Sequence, residues 1–315
     1  MNSKKAFSLI ELSIVVLVIG ILIAGVIHGT KLYYKFKLVA ARSLTQNSDV
    51  ASIKDLVVWV DTTQEGVMLN SSNSSDLVDG DAVKSWAERN PQAQNPFVFI
   101  QTSSTRYPTF RESAINGLPA LEFEGPTGTG DNLYVITDPR IENPKDFSIY
   151  AVFTPLVGNT YTGAIGILAK DNGTTPSGLV VNNSPYGLYF NSIGMTSGSN
   201  VIDENGSTTS TTIGWNTASY GFPTIAGVIH DSINTSLSFK GYNKGTVDST
   251  PANSSTTLAA TSGDLNIGVT KVGAENYYFK GYISEIIMFN RAITAEERKA
   301  VEKYLSKKWG IKLSY

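Results

Sequence analysis

The 315-residue chain contains no cysteine. Disulfides, thiolate metal sites and cysteine nucleophiles are therefore excluded, although compartment is not read from such an absence. Histidine is almost missing as well, and His28 and His230 are sparse material for a metal centre or a catalytic base. An excess of one charge is also lacking: 25 Lys and Arg stand against 27 Asp and Glu, a formal net charge of -2. The balance is uneven along the chain. Residues 1–49 hold six Lys and Arg against Glu11 and Asp49, a net of +4, which leaves -6 for the remainder. A mildly acidic body offers no footprint for phosphate backbones, and the basic residues in front flank an apolar run, where membrane orientation accounts for them. Nucleic acid is not expected as a main partner. What the chain does have is 41% hydrophobic residues, enough to build the core of one large or two ordinary domains.

From Leu12 to Ile27 every residue is apolar or small, and counting from Phe7 the stretch approaches the ~20 residues that span a bilayer core. One charge, Glu11, interrupts it. An acid in a membrane helix costs roughly 2.5–3.5 kcal/mol at the centre and less toward an end, so Glu11 requires a purpose. Lys4 and Lys5 precede the run and place the N-terminus on the cytoplasmic side.

The segment Lys4-Lys5-Ala6-Phe7-Ser8-Leu9-Ile10-Glu11-Leu12 resembles the processing site of type IV prepilins and pseudopilins. The resemblance implies a leader of residues 1–6, cleavage between Ala6 and Phe7 by a prepilin peptidase, methylation of the new N-terminus, and filament assembly through Phe7 and Glu11. Ala6 stands where that family more often has Gly, and no proline precedes Pro91 although the family often has one early in its stem helix. A freed α-amino group, with a reference pKa of about 7.7–8.0, is largely protonated and can neutralise a neighbouring subunit's buried carboxylate. Glu11 would then set axial register. A secretory signal or a plain anchor shares the basic and apolar regions, but no good small-x-small cleavage site follows the run before Gly29, and neither alternative explains Glu11. Beyond Ile27, apolar Leu32, Phe36 and Val39 recur at helical spacing, which predicts a stem helix continuing to about Leu44 within residues 7–49. Gly20, Gly25 and Gly29 fit either local melting in a filament or close packing between membrane helices.

A globular domain is expected over residues 50–315. Leu56 to Val60 reads as a buried first strand, and short strand patterns punctuated by Gly, Asn, Asp and Pro recur at Leu121 to Phe123, Phe147 to Phe153, Ala164 to Ala169, Tyr186 to Phe190, Ile225 to His230, Leu237 to Tyr242, Leu265 to Val269 and Tyr282 to Phe289. Such a series means an antiparallel sandwich or barrel. Phe147, Ile149, Ala151 and Phe153 alternate with Ser148, Tyr150 and Val152, which predicts one core face and one partly exposed face. Asn243-Lys244-Gly245 reads as a tight turn. One convincing helix closes the body: Thr294 and Glu297 form a capping-box pair, Val301, Leu305 and Trp309 share a face, and Gly310 stops it.

The body is similar to the bacterial laminin-G-like, concanavalin A-like jelly-roll family. The likeness is carried by Leu56 to Asp61, Val83 to Trp86 with Asn90, Tyr107 to Phe110, Asn116 to Gly125, Phe147 to Phe153, Phe279 to Ile293 and the helix from Thr294 to Gly310. The fold class this implies is mainly β: a long N-terminal helix, an antiparallel β-sandwich and a C-terminal helix. The resemblance also implies carbohydrate or protein binding at loops or on the concave face.

No catalytic residue is expected. Glycosidases of this fold place paired acids on one strand face, and no Glu-x-Asp-x-x-Glu run occurs. Glu122 and Glu124 share a face but alternate with core-side Leu121 and Phe123, so they are read as solvent-facing. Glu285, between Ile283 and Ile287 in an apolar strand, is read as hydrogen-bonded or paired to a nearby loop or to Arg291. Glu296 and Glu297 suit a helix start, and His230 reads as a structural histidine. Asp131-Asn132 after Gly128-Thr129-Gly130, or Asp171-Asn172-Gly173, could supply calcium ligands, and Asx-Gly turns explain both equally well. Asn70, Asn172 and Asn253 head Asn-x-Ser/Thr triplets that composition alone produces. The expected protein is a non-enzymatic filament subunit or minor pilin, with other pilin subunits as partners and a glycan or surface ligand for its head. It would reside in the inner membrane as a precursor and then in an extracellular filament or periplasmic pseudopilus. The alternatives are a secretion pseudopilin or bulk structural pilin with the sandwich as spacer, and a membrane-tethered carbohydrate-active enzyme.

Overall fold

The computed structural model describes residues 9–125, 130–136, 138–142, 144–158, 165–171, 186–191, 194–202, 208–215, 219–233, 239–247, 263–272 and 275–315. A single helix of 38 residues, Leu9–Gln46, forms the stem. A polar stop follows, in which Ser48 accepts from the Val50 N–H and starts a 3-10 turn at Asp49–Ser52. The chain then enters the first strand, Leu56–Asp61, all six residues of which are buried.

Two antiparallel sheets carry the body, one of eight strands and one of nine among the described residues. In the eight-stranded sheet the last strand, Gly281–Phe289, lies between Phe147–Pro155 and Leu118–Phe123, and also pairs with the first strand. The beginning and end of the body are thus hydrogen-bonded to each other. Between the sheets lies the main core: Val58, Val60, Phe123, Phe147, Ile149, Phe153, Ile286 and Met288 on one side meet Val83, Trp86, Phe99, Leu133, Ile165 and Ile267 on the other. Two-residue turns with positive φ join neighbouring strands at Asn116-Gly117 and at the expected Lys244-Gly245. Both suit the right-handed twist of a hairpin.

The partly exposed face expected for Phe147–Pro155 is not found; all nine residues are buried. The eight-stranded sheet has a second core on its outer face, where Trp59, Tyr150, Val152, Ile225, Ile287 and Phe289 meet Ala41 of the stem and Val301, Leu305 and Trp309 of the C-terminal helix, Ala295–Trp309. That helix forms because Thr294 and Glu297 exchange reciprocal cap hydrogen bonds and Gly310, at φ 64, ends it in the left-handed region. A long apolar stripe on one face then needs a partner, and the sheet supplies it.

A register shift between Ile283 and Glu285 decides which core each residue of the last strand joins. Ile283 faces the other sheet, whereas Ile287 and Phe289 face the C-terminal helix. Strict alternation would have placed all three together.

Candidate functional site

The stem has two parts with different surroundings. Leu9–Val26 forms an 18-residue stretch of mean hydropathy 2.8, long and apolar enough to cross a membrane, and none of it is buried against the rest of the chain. Its large side chains, from Leu9 at 85% exposure to Val26 at 65%, point outward all round. A helix apolar on every side is suited to lipid or to other helices, not to one face of a soluble domain. Glu11 lies in its first turn. Ala6 and Phe7, the expected processing residues, lie outside the described residues, as do Gly128, Thr129, Asn172, Gly173 and Asn253.

The second half is fastened to the sandwich. Lys37 Nζ donates to the Asn116 carbonyl in the Asn116-Gly117 turn, and the Asn116 side chain donates to the Trp309 carbonyl at 2.8 Å. Arg42 Nε donates to the Thr63 carbonyl at 2.6 Å, and its guanidinium pairs with Glu65. Thr45 Oγ1 reaches Asp61 Oδ2 and Tyr304 Oη, both at 3.0 Å.

Thr45 borders a fully buried polar cluster. Lys308 Nζ sits 2.6 Å from Asp61 Oδ2 and 2.8 Å from Glu285 Oε2, with all three side chains inaccessible to solvent. Trp59 Nε1 and Tyr304 Oη donate to Glu285 Oε1 at 2.7 and 2.6 Å, and Trp309 Nε1 donates to Oε2 at 2.6 Å. Asp61 Oδ1 accepts from the Thr63 N–H at 2.9 Å and its hydroxyl at 2.8 Å, while Gln64 Nε2 donates to Oδ2 at 2.8 Å. Burial pushes both carboxyls up. At Asp61 the charge and hydrogen bond of Lys308, with the Thr63 donors, outweigh it and hold the group below its usual range. At Glu285 burial wins over Lys308, and the group stays raised.

The expected partner of Glu285 is thereby corrected. Arg291 pairs instead with Glu297, 2.6 Å away, and Glu285 turns toward the C-terminal helix because of the register shift. Asp61 and Lys308 were not singled out from the sequence. The available signal was Lys308 itself, three residues after Leu305 and beside Trp309, on the stripe where an apolar residue belongs.

The other acids singled out from the sequence each have a local partner or are exposed. Glu122 binds Arg111 at 2.6 Å on the outer side of its strand, and Glu124 is exposed. Asp131 Oδ2 accepts from the Glu124 N–H at 2.7 Å, Asn132 accepts from Gln101 at 2.8 Å, and Asp171 lies 3.4 Å from Lys271. His230 is buried, stacked on Phe147 and 3.5 Å from Asp146. Among the described residues no three His, Cys, Asp or Glu side chains converge to hold a metal ion.

These features define a class: an apolar helix able to enter a membrane, joined to a β-sandwich through a polar junction. Residues 1–27 match the family model of the prokaryotic N-terminal methylation motif, the segment that contains Ala6, Phe7 and Glu11. No curated protein matches the chain. Among solved structures, the binding domain of Paraclostridial Mosquitocidal Protein 1 superimposes with a TM-score of 0.51 at 10% identity, covering 80% of this chain and 52% of that one. The binding domain of botulinum neurotoxin serotype D gives 0.49 at 11% identity, covering 81% and 52%. A Trypanosoma rangeli sialidase bound to sialic acid gives 0.42 at 12% identity, covering 81% and 33%. The chain spans about half the length of the two binding domains. The first of these likenesses is one of fold.

Proposed function

We propose that this chain is a type IV pilin-like filament subunit whose β-sandwich is a non-enzymatic binding head. In this reading residues 1–6 are a leader, a prepilin peptidase cuts between Ala6 and Phe7, and residues 7–49 become the stem that polymerises with other pilins after leaving the inner membrane. Residues 50–315 form the head, which needs no cofactor for assembly and engages a glycan or another surface ligand. The observation that carries the reading is Glu11, a lone acid in the first turn of a bare apolar helix, within a matched methylation motif. A buried carboxylate of that kind is stabilised by a cation, and the amino group of Phe7 on a neighbouring subunit supplies one. The binding role of the head draws support from the fold it shares with a toxin's binding domain.

Mass spectrometry of filaments sheared from native cells tests the assembly half. The expected result is a chain beginning at Phe7 that disappears from the filament fraction when Glu11→Ala is introduced. An uncut chain, or normal incorporation of the Glu11→Ala form, overturns it. Abundance then separates two roles, since a dominant chain makes the sandwich the filament's coat and a trace chain makes it a displayed adhesive tip.

A further inference from the structure

The Asp61, Glu285 and Lys308 cluster is more elaborate than an ion pair needs. Two carboxylates share one ammonium out of reach of solvent, and both are ringed by side-chain donors from Trp59, Thr63, Gln64, Tyr304 and Trp309. Burying these charges carries a desolvation penalty that an apolar trio of similar volume would avoid. An arrangement of this kind either tolerates that penalty or removes it by chemistry.

We infer that Lys308 and Asp61 condense to form an internal amide cross-link, with Glu285 moving the proton. The two side chains are already paired: Nζ lies 2.6 Å from Oδ2, an oxygen bonded to the carbon that the amine would attack. Held side chains at such separations convert a slow bimolecular condensation into an intramolecular one. Proton transfer from the Lys308 ammonium to Asp61 gives the neutral amine and the neutral acid; once the ammonium charge is gone, what held Asp61 below its usual range is lost and burial favours its neutral form. Nζ then attacks Cγ. The charge that develops on Oδ1 falls where the Thr63 N–H and hydroxyl already donate, at 2.9 and 2.8 Å. Glu285 Oε2, 2.8 Å from Nζ, accepts the amine proton and returns it to Oδ2, which leaves as water. One N–C bond forms, one C–O bond breaks, one water departs, and no oxidant or other reactant is needed. The net charge of the three side chains is minus one before and after, and in the product it rests on Glu285, where Trp59, Tyr304 and Trp309 donate to it.

The raised affinity of Glu285 for a proton suits the shuttle. Placement gives the bond a purpose. It joins the first strand, next to the stem, to the last helix, closing almost the whole body into one covalent loop in a chain with no cysteine for a disulfide. Closing so long a loop restricts the unfolded chain strongly. This inference does not depend on the filament reading.

The test is a protease digest and intact mass of the full chain, purified from membranes in detergent and denatured before measurement. A branched peptide joining Lys308 to Asp61, and an intact mass lighter by one water than that of the linear sequence between the termini found in the digest, are expected. Glu285→Gln and Lys308→Arg should restore the missing water and the linear peptides. Lys308 and Asp61 recovered in linear peptides from the unsubstituted chain overturn the inference whatever the variants do, and a branch to Glu285 overturns the assignment of Asp61.

Discussion

Glu88 follows the strand Val83–Ala87 at 3% exposure, with one carboxylate oxygen accepting from the Phe97 N–H at 2.7 Å and the other without a partner among the described residues. Burial pushes it from 4.5 up to about 7, and burial does the same to Asp131, from 3.8 to about 7. The sign follows directly. Between the unfolded value and about 7 the folded chain holds a proton that the unfolded chain has lost, so stability falls as pH rises through that window. It is flat above about 7, where both states are ionised. Each group contributes a slope of at most about 1.4 kcal/mol per pH unit. Glu88→Gln, which keeps the shape and removes the ionisation, should therefore reduce that slope and raise stability by about 1–3 kcal/mol above neutral pH, as read by urea unfolding across the window. An unchanged slope would mean that Glu88 is ionised in the fold and matched by Arg140. At this scale the sequence was informative where a residue broke a pattern. Glu285 stood out in an apolar strand, whereas Asp61 looked like an ordinary strand end, and Glu88 gave no local signal because its burial is created by the distant Phe97 segment.

The C-terminal helix was the most legible element, since its cap pair, apolar stripe and terminal glycine all lie within 17 residues of continuous sequence, Thr294 to Gly310. Those local signals carry measurable weight. Thr294→Ala removes the acceptor for the Glu297 N–H and should cost about 1 kcal/mol. Gly310→Ala forces a side chain into φ 64 and should cost about as much, although the nearest atom to the new Cβ is 3.8 Å away, so the loss is one of backbone conformation, not of space. Equal chemical-denaturation midpoints for wild type and both variants would show that the helix is held by its buried stripe alone. The strand Phe147–Pro155 was read correctly in position and wrongly in exposure. Ser148, Tyr150 and Val152 alternate as a solvent face should, but whether a face meets water depends on what the chain later lays over it. Here the covering helix arrives some 140 residues further on, and the register shift at Glu285 is likewise a property of strand pairing that no single strand's pattern contains.

The whole molecule is organised by its two ends meeting on one face of one sheet. The stem enters beside the first strand, the last strand pairs with the first, and the C-terminal helix packs over both with Asn116 bridging its end to the turn that Lys37 grips. The apolar half of the stem was evident from composition; its fastening was not, because Thr45 and Arg42 acquire their partners only when the body folds. The two halves should therefore respond differently to truncation. Removing residues through Val26 takes away a stretch with no burial against the body, so the remaining chain should lose membrane association and keep its unfolding midpoint. Removing residues through Gln46 also deletes Ala41 from the second core, the Arg42 bonds to Thr63 and Glu65, and the Thr45 hydroxyl beside buried Asp61. Losing those contacts, with a buried carboxylate left one donor short, should cost about 2–5 kcal/mol. Urea unfolding of the two truncated proteins measures the difference between them. A clear gap makes the lower stem part of the sandwich's own fold, so that force on the apolar half reaches the sandwich through a rigid joint; coincident curves would make it a tether, and the contacts of Lys37, Arg42 and Thr45 incidental to stability.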